Sequence, residues 1–266
     1  MNLILGIFFT LIMSYTLFAF VDDDFDGVED TQDRCLNTPF MDLVDNSGCS
    51  ITSLVSEHNF DVIAGLAYSS KDETTLQGEQ TFYATLQMDY NFKNFNFYAI
   101  VSSYQNDYSS GLDDTLAGGA YTFNLFDYFS LSPGLTLFFP TYDSGLDNEE
   151  IDVATSLSFE VHYKDFLLLG AYSYTFINDT DTADIKYQNT SAYQLGIGYI
   201  ATANMYMDIG FYKSSSIYQD VDDLQSVLFD MNYYIDDKYF VLLNYSHGLS
   251  ETANDNYLSL QFGRNF

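Results

Sequence analysis

The sequence predicts an all-β fold: a transmembrane, antiparallel, up-and-down β-barrel of about twelve strands, preceded by a small N-terminal module. Three features predict it. Apolar and polar residues alternate with period two in run after run of near ten residues. The links between these runs are alternately short and long. Ahead of the first run stands a single dense acidic stretch, DDDFDGVEDTQDRC, from Asp22 to Cys35.

Taken in chain order, the first element is the apolar run MNLILGIFFTLIMSYTLFAF. It reads as a signal peptide over residues 1–20, cut near Ala19, although no Lys or Arg precedes it. A retained helical anchor is the alternative. Either reading sends the chain out of the cytoplasm. The charge balance fits that destination: the formal net charge is −30, with only 8 Lys plus Arg in 266 residues. A basic nucleic-acid surface is thereby excluded, as is docking on anionic lipid through basic patches.

The second element spans residues 21–50. With Asp22 at position 1 of a loop, Asp24 falls at 3, Asp26 at 5, Gly27 at 6, Asp30 at 9 and Asp33 at 12. Alternating carboxylates of this kind converge on a hard cation, the glycine permits the sharp turn, and the carbonyl of Val28 stands ready as an oxygen donor. An EF-hand would end in Glu and lie between two helices, and neither feature is present. Cys35 and Cys49 are the two cysteines of the chain. In an exported protein a close pair reads most simply as a disulfide.

The continuation DRCLNTPFMDLVDNSGC resembles a thrombospondin type 3 repeat, in the single-copy form that serves as a periplasmic linker in proteins related to outer-membrane protein A. The resemblance covers about Asp22 to Ser50. It implies Ca2+ held by Asp22, Asp24, Asp26, Asp30 and Asp33, and a Cys35–Cys49 bridge closing the module. A plain solvated acidic linker is the competing reading.

Residues 51–266 carry the barrel pattern. TFYATLQMDY sets Phe82, Ala84, Leu86, Met88 and Tyr90 against Tyr83, Thr85, Gln87 and Asp89. NMYMDIGFYK and YLSLQFGRNF repeat the alternation. Strands are expected near 60–70, 79–90, 95–105, 114–124, 128–139, 151–162, 165–176, 189–200, 205–214, 224–235, 238–248 and 256–266. Their length suits a membrane crossing of roughly 9–11 residues better than a soluble sandwich. Short links (NFKN, LFD, YKD, ATAN and Asp236–Asp237) alternate with long polar ones, as in barrels with short periplasmic turns and long outer loops. An even strand number brings both ends of the barrel to the short-turn side, where the N-terminal module would sit in the periplasm.

The sequence closes on Phe266, with Leu258, Leu260 and Phe262 on the same face. This resembles the C-terminal signal that the barrel assembly machinery recognises in bacterial outer-membrane proteins, with Arg264 departing from the pattern. The resemblance implies outer-membrane residence among lipid and lipopolysaccharide.

If the apolar set faces lipid, the other set faces a lumen containing Asp61, Asp89, Glu160, Asp208 and Asp230, together with Asp152, His162, Gln194, Asn232, Asn244 and Gln261. Hardly any inward Lys or Arg balances the carboxylates, so cations are favoured. Hydrated interior carboxylates without selectivity are the plainer alternative. Catalysis is not expected. Ser246 and His247 are adjacent in NYSHGLS, so strand parity points them to opposite faces. His58 is expected ahead of the barrel, and His162 at a strand end. The function expected from these residues is a channel for small hydrophilic solutes, cation-preferring in the sense of its lumen charge; the alternative is a non-conducting structural anchor.

Overall fold

The computed structural model of the chain describes residue 28 and residues 33–35, 42–44, 47, 49–53, 58–71, 79–142, 150–181 and 185–266. The chain divides into two units, Met1–Ser56 and Glu57–Phe266. The expected signal peptide, 1–20, lies outside the described residues.

In the first unit, β1 (Asp42–Val44) and β2 (Ser50–Ser53) form an antiparallel pair with an irregularity between Leu43 and Val44. A disulfide joins Cys35 to Cys49, their Cα atoms 5.1 Å apart. The Arg34 amide donates to the Ser47 carbonyl at 2.8 Å, holding the two cysteine-bearing segments side by side.

The second unit is built from β3 (His58–Lys71), β4 (Glu79–Phe92), β5 (Phe95–Asn106), β6 (Ser110–Leu112), β7 (Thr115–Tyr121), β8 (Phe123–Phe126) and β9 (Phe129–Phe139). It continues through β10 (Asp152–Tyr163), β11 (Phe166–Phe176), β12 (Thr190–Thr202), β13 (Met205–Ser214), β14 (Leu224–Tyr234), β15 (Tyr239–Gly248) and β16 (Asn256–Asn265). Apart from β6, β7 and β8, which follow one another as a single stave between β5 and β9, each strand pairs antiparallel with its sequence neighbours, and β16 returns to pair with β3, closing a twelve-strand barrel. Closure satisfies the edge hydrogen bonds that would otherwise stand bare.

Two of the wall's irregularities have local causes. From β6 to β7 the register against β5 slips by one residue: Ser103 faces Leu112, but Ile100 faces Leu116. The Asp113 amide donates to the Ser102 carbonyl at 2.9 Å, holding the chain across this slip. Between β7 and β8 the register against β9 is continuous, but pairing lapses opposite Ser132 and Pro133. Proline has no amide proton to give the ladder. A hydroxyl contact, Thr122 Oγ1 to Ser132 Oγ at 2.9 Å, bridges the lapse. Where a single strand is expected over 114–124, the structure therefore has one interrupted stave over 110–126.

The tight connections are Lys93–Asn94, Asp127–Tyr128, Lys164–Asp165, Ala203–Asn204 and 235–238, all at one end. Lys93 and Lys164 take φ values of 53° and 56°, the left-handed conformation such two-residue turns require. At the other end lie the long links, two of which are tied by a bridge between Tyr187 and Tyr218. His58, expected ahead of the barrel, is the first residue of β3. It stacks on Phe92 at 4.6 Å and meets the Tyr90 hydroxyl at 2.6 Å.

Candidate functional site

Strand parity and register together define two faces. On one are large apolar side chains left open, such as Leu66 at 70 % exposure and Leu260 at 58 %. On the other are the half-buried alternates, which in a closed sheet line the lumen. The register is self-consistent around the whole circuit, so a residue's face can be followed from strand to strand.

The inward face receives Asp61, Asp89, Asp152, Glu160, Asp208 and Asp230. Four of them meet as opposed pairs: Asp61 faces Asp89 across β3–β4, and Asp208 faces Asp230 across β13–β14. Directly opposed like charges destabilise a sheet, and amides and a hydroxyl soften the repulsion. Gln87 Nε2 donates to both oxygens of Asp89, at 3.1 and 2.9 Å. Asn265 Nδ2 donates to Asp61 at 3.0 Å, and to Asn59. Asn244 Nδ2 donates to Asp230 at 2.6 Å, and the Tyr206 hydroxyl donates to Asp208. Glu160 pairs with His162, two residues along the same face. Gln194, Asn232, Asn244 and Gln261 occupy inward positions as well. Among the described strand residues, Lys71, opposite Glu79 at the long-link end, is the one inward lysine or arginine.

Aromatic rings on this face lie flat against the wall. Gly118 leaves room for Tyr98: a Cβ there would stand 2.6 Å from the ring. Gly198 does the same for Tyr206, and Gly263 for Phe240. Removing one side chain from the wall thus lets a neighbouring ring fold down instead of crossing the lumen.

At the short-turn end the β8–β9 hairpin extends the wall, and a recess of about 670 Å³ opens beneath β9–β12. Of its polar lining, strand parity in the sequence already points to Glu160, His162 and Gln194, but not to Thr122, Asn124, Ser130, Ser132 or Ser158. The small-polar alternation Ser130, Ser132, Gly134, Thr136 within β9 is the signal that marks it. At the long-link end, Asp113 and Asp179 have their carboxyls raised above the usual range, first by burial and then by neighbouring carboxylates (Asp114; Asp152 and Asp114). Burial likewise raises the Tyr142 hydroxyl, which stands beside Tyr104.

Nothing assembles a nucleophile with a base at NYSHGLS. His247 sits opposite Asn256 on the outer face and Ser246 opposite Tyr257 on the inner one. Arg264 also faces outward, its guanidinium 4.3 Å from the centre of the Phe266 ring and 5.7 Å from that of Tyr239.

In the first unit, Asp22, Asp24, Asp26 and Asp30 lie outside the described residues. Asp33 and Val28 lie within them. One Asp33 oxygen accepts from the Cys35 amide at 2.7 Å, while the other is buried with no hydrogen-bond partner. A buried carboxylate oxygen is costly unless something positive meets it. The residue thus fits the last ligand of a cation loop.

No family model matches the chain, and no curated protein matches it. Solved structures do. An outer membrane channel from Pseudomonas putida F1 superposes with a TM-score of 0.66 at 13 % identity, over 80 % of this chain and 97 % of that one. The NanC porin gives 0.53 at 14 %, over 78 % and 98 %. The KdgM porin in complex with oligogalacturonate gives 0.50 at 14 %, over 76 % and 98 %. At such identities the likeness is one of fold.

Proposed function

We propose that the chain is an outer-membrane channel for small hydrophilic solutes that favours cations and neutral molecules over anions. The carrying observation is the charge of the inward face: seven carboxylates at strand positions, the six above and Glu79, against the single lysine Lys71 among the described strand residues. A low-dielectric wall focuses such charge into the lumen, concentrating cations and repelling anions. The fold shared with outer-membrane channels supports the location, with short turns toward the periplasm and Phe266 as the mark for the assembly machinery. Lipid and lipopolysaccharide then surround the exposed apolar band. Catalysis has no part in this reading.

The charge also separates this chain from one structural neighbour. Oligogalacturonate, bound to KdgM, is a chain of carboxylated sugars, and an acidic lumen disfavours a ligand of that charge. The N-terminal unit, in this reading, holds Ca2+ through Asp22, Asp24, Asp26, Asp30, Asp33 and the Val28 carbonyl on the periplasmic side. The orphaned oxygen of Asp33 supports that assignment.

The test is the reversal potential of the refolded chain in a planar bilayer under a salt gradient. Discrete openings with the sign of cation selectivity are expected. A folded barrel that carries no current would overturn the channel and leave a structural anchor. An anion-selective potential would overturn the charge argument alone.

A further inference from the structure

The carboxylate pairs explain a charge preference but hold nothing in particular; the recess at the short-turn end is built differently. Its wall brings together the hydroxyls of Thr122, Ser130, Ser132 and Ser158 and the amides of Asn124 and Gln194. Hydroxyls and amides each donate and accept, which suits a partner that also does both. The only side-chain charges lining it besides Asp127 at the turn belong to Glu160 and His162, which are engaged with each other. Leu169 and Ala171 supply an apolar patch between the polar groups. A volume of about 670 Å³ lies inside the usual range of small-molecule sites, roughly 300–1,000 Å³.

Resting on the channel reading above, we infer that this recess is a binding subsite for a neutral polyhydroxylated solute, a sugar of one or two rings. Sugar hydroxyls pair with the Ser, Thr, Asn and Gln groups, and the C–H face of the ring lies on Leu169 and Ala171. An acidic sugar finds no Lys or Arg in the lining to meet its carboxylate. A simple cation gains more at the opposed pairs Asp61–Asp89 and Asp208–Asp230 than here. The subsite stands at the mouth where a solute would leave the lumen, so it holds its ligand weakly enough to let it go.

The experiment uses the full chain folded in detergent, titrated calorimetrically with maltose and with sodium galacturonate, and the same protein in a planar bilayer with maltose on the short-turn side. Saturable maltose binding in the millimolar range is expected, with galacturonate at least tenfold weaker. In the bilayer, maltose should reduce the current along the same saturation curve. Gln194→Leu and Ser132→Val should each weaken maltose about five- to tenfold, the loss of roughly one hydrogen bond. If either variant fails to fold, Asn124→Ala on the projecting hairpin carries the same test. Current without saturable maltose binding would overturn the subsite and leave the channel standing. Maltose binding to a silent barrel would support the subsite and overturn the channel. Galacturonate binding as tightly as maltose would overturn the assignment of ligand class.

Discussion

Gly198 shows how one missing side chain shapes the lumen. The ring of Tyr206 occupies the space a Cβ would take, so any larger residue must push that ring into the channel or bend the wall. Gly198→Leu is expected to destabilise the barrel by about 1–3 kcal/mol, seen as a lower urea midpoint in lipid vesicles, and to reduce single-channel current as the ring swings inward. A midpoint and current both equal to the parent's would sink this account. Such pairs were not legible in the sequence. Parity says which face a residue takes, but which residue lies opposite depends on register, and register is set by turns and bulges elsewhere. For the charges parity alone assigns a face, because an Asp between apolar neighbours has only one face on which it is tolerated. Arg264 sits between these cases. Its outward direction follows from alternation, while its seat over the Phe266 ring needed the fold.

Between elements, the pairing of β13 with β14 sets Asp208 against Asp230. Relieving that repulsion with Asp208→Asn should raise stability by about 0.2–1 kcal/mol, while moving the reversal potential toward zero. Both shifts are required: a destabilised variant would mean that the pair is held by something favourable, and an unmoved potential that it does not face the ion path. The gain in stability and loss in selectivity would mark a wall strained for its contents. Most strand boundaries follow closely from sequence alternation and turn residues. The exception is the stave β6–β8. Its breaks arise from one extra residue between Leu112 and Leu116 against Ser103–Ile100 of β5, and from Pro133 on the neighbouring strand β9; the second cause lies outside the segment that it interrupts.

At the scale of the whole molecule, charge is distributed along the barrel axis, and the long-link end holds the half-buried acids Asp113 and Asp179. Their carboxyls are raised in the folded protein, so the charged form is the one folding disfavours. Above the raised pKa the penalty is fully present. As pH falls through it, the folded state takes up protons before the unfolded state does, and stability rises. Amide exchange around Asp113 and Asp179, corrected for intrinsic rate, should therefore slow on acidification from neutral toward the ordinary carboxylate range. Faster exchange there would contradict the assignment. The alternation of short and long links made this two-ended architecture readable without coordinates, because hairpin length is a local property. The recess was not, since its lining is drawn from β8 to β12 and only closure of the wall gathers it.

Closure also sets a schedule. Strand β3 is made early and needs β16, some two hundred residues later, as its partner; Asn265 and Asp61 are 204 positions apart. Until that partner arrives, every intermediate exposes two unpaired sheet edges to whatever else can pair with them. Assembly of this wall is therefore governed by its most distant contact. A chaperone holding the growing chain would have to guard β3 for nearly the entire time of synthesis.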